Sequence, residues 1–455
     1  MARHSSEIVI CGAGILGVSA AYFLAVEHGL RDITLVDPRP PLTLTSDKST
    51  ECYRNWWPGP GDAMLRLHNR SIDWLEEFSR RSGNAFHLNR RGYLYVSTAA
   101  DGPARLEASA REASALGAGE LRLHQSYSGT YAAAPPEGWE QQPEGADLLL
   151  DRDLILQHFP YLSPDVTAAL HVRRAGWLSA QQYGAWLLEQ ARAAGVQLVE
   201  GRVSAVDTAG GAVASVTLDD GSTIPCSTFI NAAGPTLADI GQLLGVEIPV
   251  YNELHLKASF EDTQGVLPRE APLVICADPQ RLEWSKEESE FLAEDPETAR
   301  LLAHLPAGAH TRPEGGTAAQ SLLVLWDVHD EAVEAHYPLE EDPLYTELAI
   351  RGLVRIIPAM RNYLERMPRP FVDGGYYTKT RENRPLAGSL PLAGAYVIGA
   401  AAGYGIMASA GLAELVAAHI SGSDLPDYAP AFDLARYEDA DYQAMLADWG
   451  ESWQL

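Results

Sequence analysis

An α/β fold, with apolar strands joined through helices, is what this 455-residue sequence predicts, and three glycine-punctuated stretches predict it. EIVICGAGILGVSAAYFLAVEHGLRDITLVD, residues 7–37, reads as strand, glycine turn, apolar helix and a second strand ending in an acid. Residues 176–235 pass from an amphipathic helix into short alternating strands and close on NAAGP. Residues 395–420 pair the buried-strand pattern AYVIGA with a glycine turn and the helix GIMASAGLAELVAAHI.

The first stretch carries chemistry. Gly12 permits a tight turn, Gly14 lets a phosphate approach the backbone, and Gly17 lets helix pack on strand. Ile15 and Leu16 open the helix, whose free N–H groups and positive end suit a pyrophosphate. Asp37 closes the second strand, where a carboxylate can bond both ribose hydroxyls and disfavours a 2′-phosphate. The unit is therefore a Rossmann-like dinucleotide site for FAD or NAD.

In the second stretch, GWLSAQQYGAWLLEQARAAG places Tyr183, Trp186, Leu187, Ala191 and Ala194 on one helical face. VQLVEGRVSAVD, VASVTLDDG and TFINAAGP then alternate strands with turns. In the third, no residue from Pro385 to Ala413 is charged, which a hydropathy scan reads as a membrane helix. Pro391 and the glycines at 394, 399, 403, 405 and 411 argue instead for a buried strand, a turn and a core helix.

Composition narrows the classes. Against 34 basic residues stand 61 acidic ones, a formal charge of −27 that argues against nucleic acid or an anionic membrane as partner. Cys11, Cys52, Cys226 and Cys276 are too scattered for a disulfide framework or a zinc site, so no metal is expected. An apolar strand begins by residue 8 without a charged leader, and the chain reads as cytoplasmic.

Together with the block VDGGYYTKTRENRPLAG, these three stretches resemble the FAD-dependent amine oxidases and dehydrogenases related to D-amino acid oxidase and monomeric sarcosine oxidase. The resemblance covers most of residues 1–260 and 368–440. It implies an α/β fold in which a Rossmann-like FAD-binding domain (1–85, 151–249 and 367–455) carries a second α+β substrate domain (86–150 and 250–366) built on an antiparallel sheet. It implies that the strand holding Val203 frames the adenine, with Val203 among the cofactor-binding residues, that Ala233 and Gly234 form the turn after the apolar strand, and that Gly403, Tyr404, Gly405 and Met407 lie beside the flavin. Departures are visible. Gly375 replaces a flavin-linked cysteine, so noncovalent FAD is expected; Tyr404 replaces a histidine, Met407 a substrate-facing lysine, and Leu325 an oxygen-activating lysine.

STECYRNWW, residues 49–57, follows the second strand, and in such relatives this segment crosses the flavin. Ser49 and Thr50 are placed to bond phosphate or ring, and Arg54, before Arg66 or Arg70, is the candidate clamp for a substrate carboxylate. Trp56 and Trp57 either wall the amine or pack between domains, and Cys52 reads as a small buried thiol. Tyr377, Tyr404 and His329 complete the expected lining. The leading expectation is oxidation of the C–N bond of an amino acid or N-methyl amine: hydride leaves for flavin N5, then water hydrolyses the imine. Oxygen or an electron-transfer protein would take the electrons. Two alternatives remain: oxidation of a 2-hydroxy acid, which calls for a base near the alcohol, and a non-catalytic or electron-transfer subunit.

Overall fold

A computed structural model describes residues 6–57, 60–126, 130–316, 318–328, 331–340, 342–447 and 449. Two sheets organise them. The first has six strands in the order Leu386–Ser389, Ala395–Gly399, Thr228–Asn231, Ile8–Cys11, Ile33–Asp37 and Gln197–Glu200, parallel throughout except for the first pair. Its central strand is buried on both faces, which explains its unbroken apolar run. Ile8 and Ile10 pack under the helices Ile15–Tyr22, Ala180–Ala193 and Gly405–Ser421. Val9 and Cys11 point the other way, into a core shared with the three-stranded meander of residues 203–225 and the helix Leu237–Leu243.

The second sheet has ten described strands. Along its main path lie Tyr251–Glu261, Ser321–Leu325, His310–Pro313, Leu273–Cys276, Tyr93–Ser97 and Ala168–Val172, and Phe371–Lys379 pairs with Tyr251–Glu261 over nine residue positions. The sheet is largely antiparallel, with two corrections to the expected pattern. Leu273–Cys276 runs parallel to Tyr93–Ser97, and Leu121–His124 parallel to Ala146–Leu149, each pair joined through a long connection as parallel pairing requires. Ala168–Val172 and Phe371–Lys379, from segments assigned above to the FAD-binding domain, hydrogen-bond into this second sheet, so sheet membership divides the chain at other residues.

The long helix read from DAMLRLHNRSIDWLEEFSRR spans Ala63–Ser82 and ends on Gly83 in the left-handed region. The helical pattern near the end of the second sheet breaks at Pro358, into Tyr345–Val354 and a short turn followed by Arg361–Glu365. PAGAHTRPEGGT, residues 306–317, is rich enough in proline and glycine to predict a loop, yet it holds the strand His310–Pro313 in the middle of the sheet. By length and composition Ala402–Ser421 would pass for a membrane span, but 72% of that window is buried inside the protein.

Candidate functional site

The glycine turn is built by close approach. Gly12 has φ +110°, and a Cβ there would lie 2.3 Å from the Ala232 carbonyl oxygen; one on Gly17 would lie 1.9 Å from that of Gly12. Gly14 differs: an added Cβ meets only the Ser46 hydroxyl, at 3.3 Å. Asp37 fixes the turn from below, accepting the Ala13 N–H at 2.7 Å and the Arg39 N–H at 2.8 Å. Ser46 Oγ accepts the Ile15 N–H at 2.9 Å, at the helix N-terminus.

Above this turn opens a cleft. Gly12, Gly14, Ile15, Leu16 and Asp37 line part of it, and Ser49 lines it too. Ala233, Gly234, Tyr377, Gly403 and Gly405 line the remainder, so the N-terminus of the helix Gly405–Ser421 borders the cleft. Ala400 and Ala402, in the same turn, have φ of 53° and 41°. Non-glycine residues held there cost on the order of 1–3 kcal/mol each, strain that a functional wall tolerates. Val203 is not part of this wall. A register shift between Val203 and Ala205 lets both Val203 and Val206 turn inward, to a core with Val9, Val36 and Val216.

A second, smaller cavity shares Tyr377 and Gly403 with the cleft. Thr50, Arg54, Tyr404 and Met407 are among its lining residues. The second sheet supplies the rest through register: Tyr93 opposite Leu273 on neighbouring strands, and His310 opposite Leu325. Asp327, two residues beyond Leu325, completes the wall. His329 lies outside the described residues.

Charge in this cavity is organised. Arg54 is 4% exposed, donates from Nε to the Trp56 carbonyl at 3.1 Å, and lies 5.8 Å from the Trp57 ring and 5.7 Å from the Tyr93 ring. Arg54, Trp56 and Trp57 also line a larger, mostly apolar cavity beyond. Arg66 and Arg70 face away, paired with Asp427 and Glu414. His255 Nδ1 donates to Asp327 at 2.7 Å and Nε2 to Glu253 at 3.0 Å, while Lys379 Nζ reaches both Glu253 oxygens, at 3.0 and 2.9 Å. Burial opposes a charge on His255, but Asp327 and Glu253 outweigh it and carry the imidazole up to about 9. The same partners hold Asp327 and Glu253 below the ordinary carboxylate range despite burial. Tyr377 stacks on this imidazolium, ring centroids 3.9 Å apart. His310 is the reverse case: burial lowers it, and its Nδ1 donates to the Gly308 carbonyl at 2.7 Å, leaving Nε2 as an acceptor.

Sequence reasoning missed Asp327, His310, His255, Glu253 and Lys379. For Asp327 a signal existed, because strand alternation carries Leu325 and Asp327 to one face. Cys52 is buried, its thiol donating to the Thr50 carbonyl at 3.1 Å and raised by burial. A Cβ on Gly375 would lie 2.9 Å from Thr45 Cα, so a cysteine has no room there without displacing backbone.

A family model described as FAD dependent oxidoreductase matches residues 7–419. No curated protein matches the chain at a significant level. Among solved structures, L-proline dehydrogenase from P. horikoshii superposes with a TM-score of 0.72 at 18% identity, covering 96% of this chain and 98% of that one. Glycine oxidase from Geobacillus kaustophilus gives 0.69 at 16% identity over 95% and 98%. Iminodiacetate oxidase from Chelativorans sp. BNC1 gives 0.69 at 18% identity over 94% and 98%. At these identities the likeness is one of fold.

Proposed function

Because this chain belongs to the FAD-dependent oxidoreductase family, we propose that it oxidises the C–N bond of an amino acid or N-substituted amino acid whose carboxylate is held by Arg54. The observation that carries this reading is the second cavity, which sets Arg54 in a wall continuous, through Tyr377 and Gly403, with the cofactor cleft. The cleft suits FAD. An absent side chain at Gly14 leaves room for phosphate, Ile15 and Leu16 open a helix N-terminus onto it, and Asp37 stands at the ribose end. Ser49, Thr50, Gly403, Tyr404, Gly405 and Met407 would hold the ring end.

Bound FAD supplies the acceptor for a hydride from the carbon next to nitrogen. The protein's own part is binding and proton placement. Arginine's fork meets a carboxylate with two parallel bonds, and with its carboxylate fixed the substrate has one orientation left against the ring. The apolar side chains Leu273, Leu325 and Met407 limit water around the reacting carbon. An amino acid arrives with a protonated nitrogen, and His310 Nε2 is an acceptor on the cavity wall able to take that proton and free the lone pair. The positive end of the helix Gly405–Ser421 favours an electron-rich ring.

A second reading, oxidation of a 2-hydroxy acid, draws on the same base, since His310 would serve an alcohol equally. Asp327 weighs toward nitrogen, because an anion beside the reacting centre suits a cationic amine better than a hydroxyl. Both are tested by adding amino acids, N-methyl amino acids and 2-hydroxy acids to the purified flavoprotein without oxygen. Bleaching by amino acids is expected; bleaching by 2-hydroxy acids alone would overturn the proposal. Admitting air to the bleached protein then distinguishes oxygen from an electron-transfer acceptor.

A further inference from the structure

Among the described residues that line the second cavity, Asp327 is the one carboxylate. It terminates a buried sequence of alternating charges: Lys379, Glu253, His255, Asp327. The three inner side chains are sealed, Glu253 and Lys379 at 5% and His255 at 4% exposure, whereas Asp327 keeps 26% of its side-chain surface open. Asp327 Oδ1 accepts from His255 Nδ1 at 2.7 Å, and its second oxygen takes no hydrogen bond from the described residues. A carboxylate beside apolar walls is costly unless it is paired and hydrogen-bonded, and three further charged groups have been buried to keep this one ionised. Arg54 stands in the same wall. The cavity therefore offers one cation and one anion. A ligand with a carboxylate alone satisfies the first and is repelled by the second, whereas an α-amino acid carries both charges on neighbouring atoms.

We propose that Asp327 binds the substrate nitrogen, and that His255, Glu253 and Lys379 are positioning residues that hold its carboxylate ionised with one oxygen turned to the cavity. This rests on, and deepens, the reading that an amino acid is oxidised here. Substrates are then free amino acids or N-alkyl amino acids. N-acyl amino acids, whose nitrogen is neutral, are excluded. Once His310 has taken the ammonium proton, loss of hydride from the neutral amine restores positive charge to the nitrogen, so the same carboxylate favours the reacting state over the neutral amine.

The test uses isosteric pairs that keep the carboxylate and exchange nitrogen for ether oxygen: proline against tetrahydrofuran-2-carboxylate, and N-methylglycine against methoxyacetate. Binding to the flavin-loaded protein is measured by calorimetry, and reduction by anaerobic bleaching. The wild type is expected to prefer the nitrogen member of a pair. In Asp327→Asn that preference should shrink by at least about thirty-fold, the lower range for truncating one partner of a desolvated pair, with flavin content retained and affinity for the ether acids retained or raised. His255→Gln should shrink it less, and Asp327→Glu should restore part of it. A merely structural role would weaken both members together and leave the ratio unmoved. An unchanged ratio in Asp327→Asn, with amino acids still bleaching the flavin, would overturn this proposal and leave the proposed function standing. No bleaching or preferential binding by any amine in the wild type would overturn both.

Discussion

The glycine-lined cleft and the second cavity meet at Tyr377 and Gly403, yet they are built in opposite ways. The cleft is mostly backbone and small residues: Gly12, Gly14, Ala233, Gly234 and the turn Ala400–Gly403. Each comes from a strand, turn and helix contiguous in sequence. The cavity is made of large side chains, Arg54, Tyr93, His310, Asp327 and Tyr377, from segments that only strand register brings together. A backbone site works because atoms are missing, and a side-chain site because atoms are present. The first should therefore fail when atoms are added, the second when they are removed.

The largest effects belong to additions in the cleft. Gly17→Leu should yield no soluble protein, because its Cβ alone falls 1.9 Å from the Gly12 carbonyl oxygen. Gly14→Val sharpens the contrast. Its Cβ meets only the Ser46 hydroxyl, so the variant should fold, with wild-type near-ultraviolet circular dichroism, yet be colourless. A Gly14→Val protein with full flavin would break the assignment of the pyrophosphate to this turn. Removal of atoms from the cavity comes next. Arg54→Ala should keep its flavin and lose about 2–5 kcal/mol of substrate binding, with Arg54→Lys losing less, as read by titrating flavin reduction.

A smaller effect concerns pH. His255 titrates near about 9 in the folded protein, above its unfolded value, so its contribution to stability is complete below about pH 6.5 and is lost as pH rises through about 9. Glu253 and Asp327 are depressed, so theirs is present above their unfolded values and lost in acid. Chemical denaturation should show a decline from His255 of about 3 kcal/mol across the alkaline window, absent in His255→Gln. Smallest of all is Cys52→Ser, which should leave flavin content unchanged. Acid precipitation should release the yellow colour from both proteins, since neither Cys52 nor Gly375 is placed to bond the ring.

How much could be read from sequence follows the same division. The glycine turn, Asp37, the helix Ala63–Ser82 and the strand-turn-helix near residue 400 were legible because local spacing dictates local backbone. Arg54 was legible from its setting between a thiol and two tryptophans. The network of Lys379, Glu253, His255 and Asp327 was not, since its four members come from three strand regions and meet only through pairing. His310 was hidden by the prolines and glycines around it, which read as a loop, although the segment pairs on both sides in the sheet. Val203 lies in a strand, as its spacing implied, with its apolar side chain turned to the core.

Whether an amino acid is oxidised here with its carboxylate on Arg54 is decided by one anaerobic titration. Flavin bleaching by proline and N-methylglycine is compared with bleaching by pyrrolidine and dimethylamine, the same amines without the carboxylate, in the wild type and in Arg54→Ala. The account predicts that the wild type responds to at least one carboxylated amine at far lower concentration than to its partner, and that Arg54→Ala loses this advantage with its flavin intact. Equal bleaching by both members of each pair in the wild type, or an advantage that survives in Arg54→Ala, would contradict it.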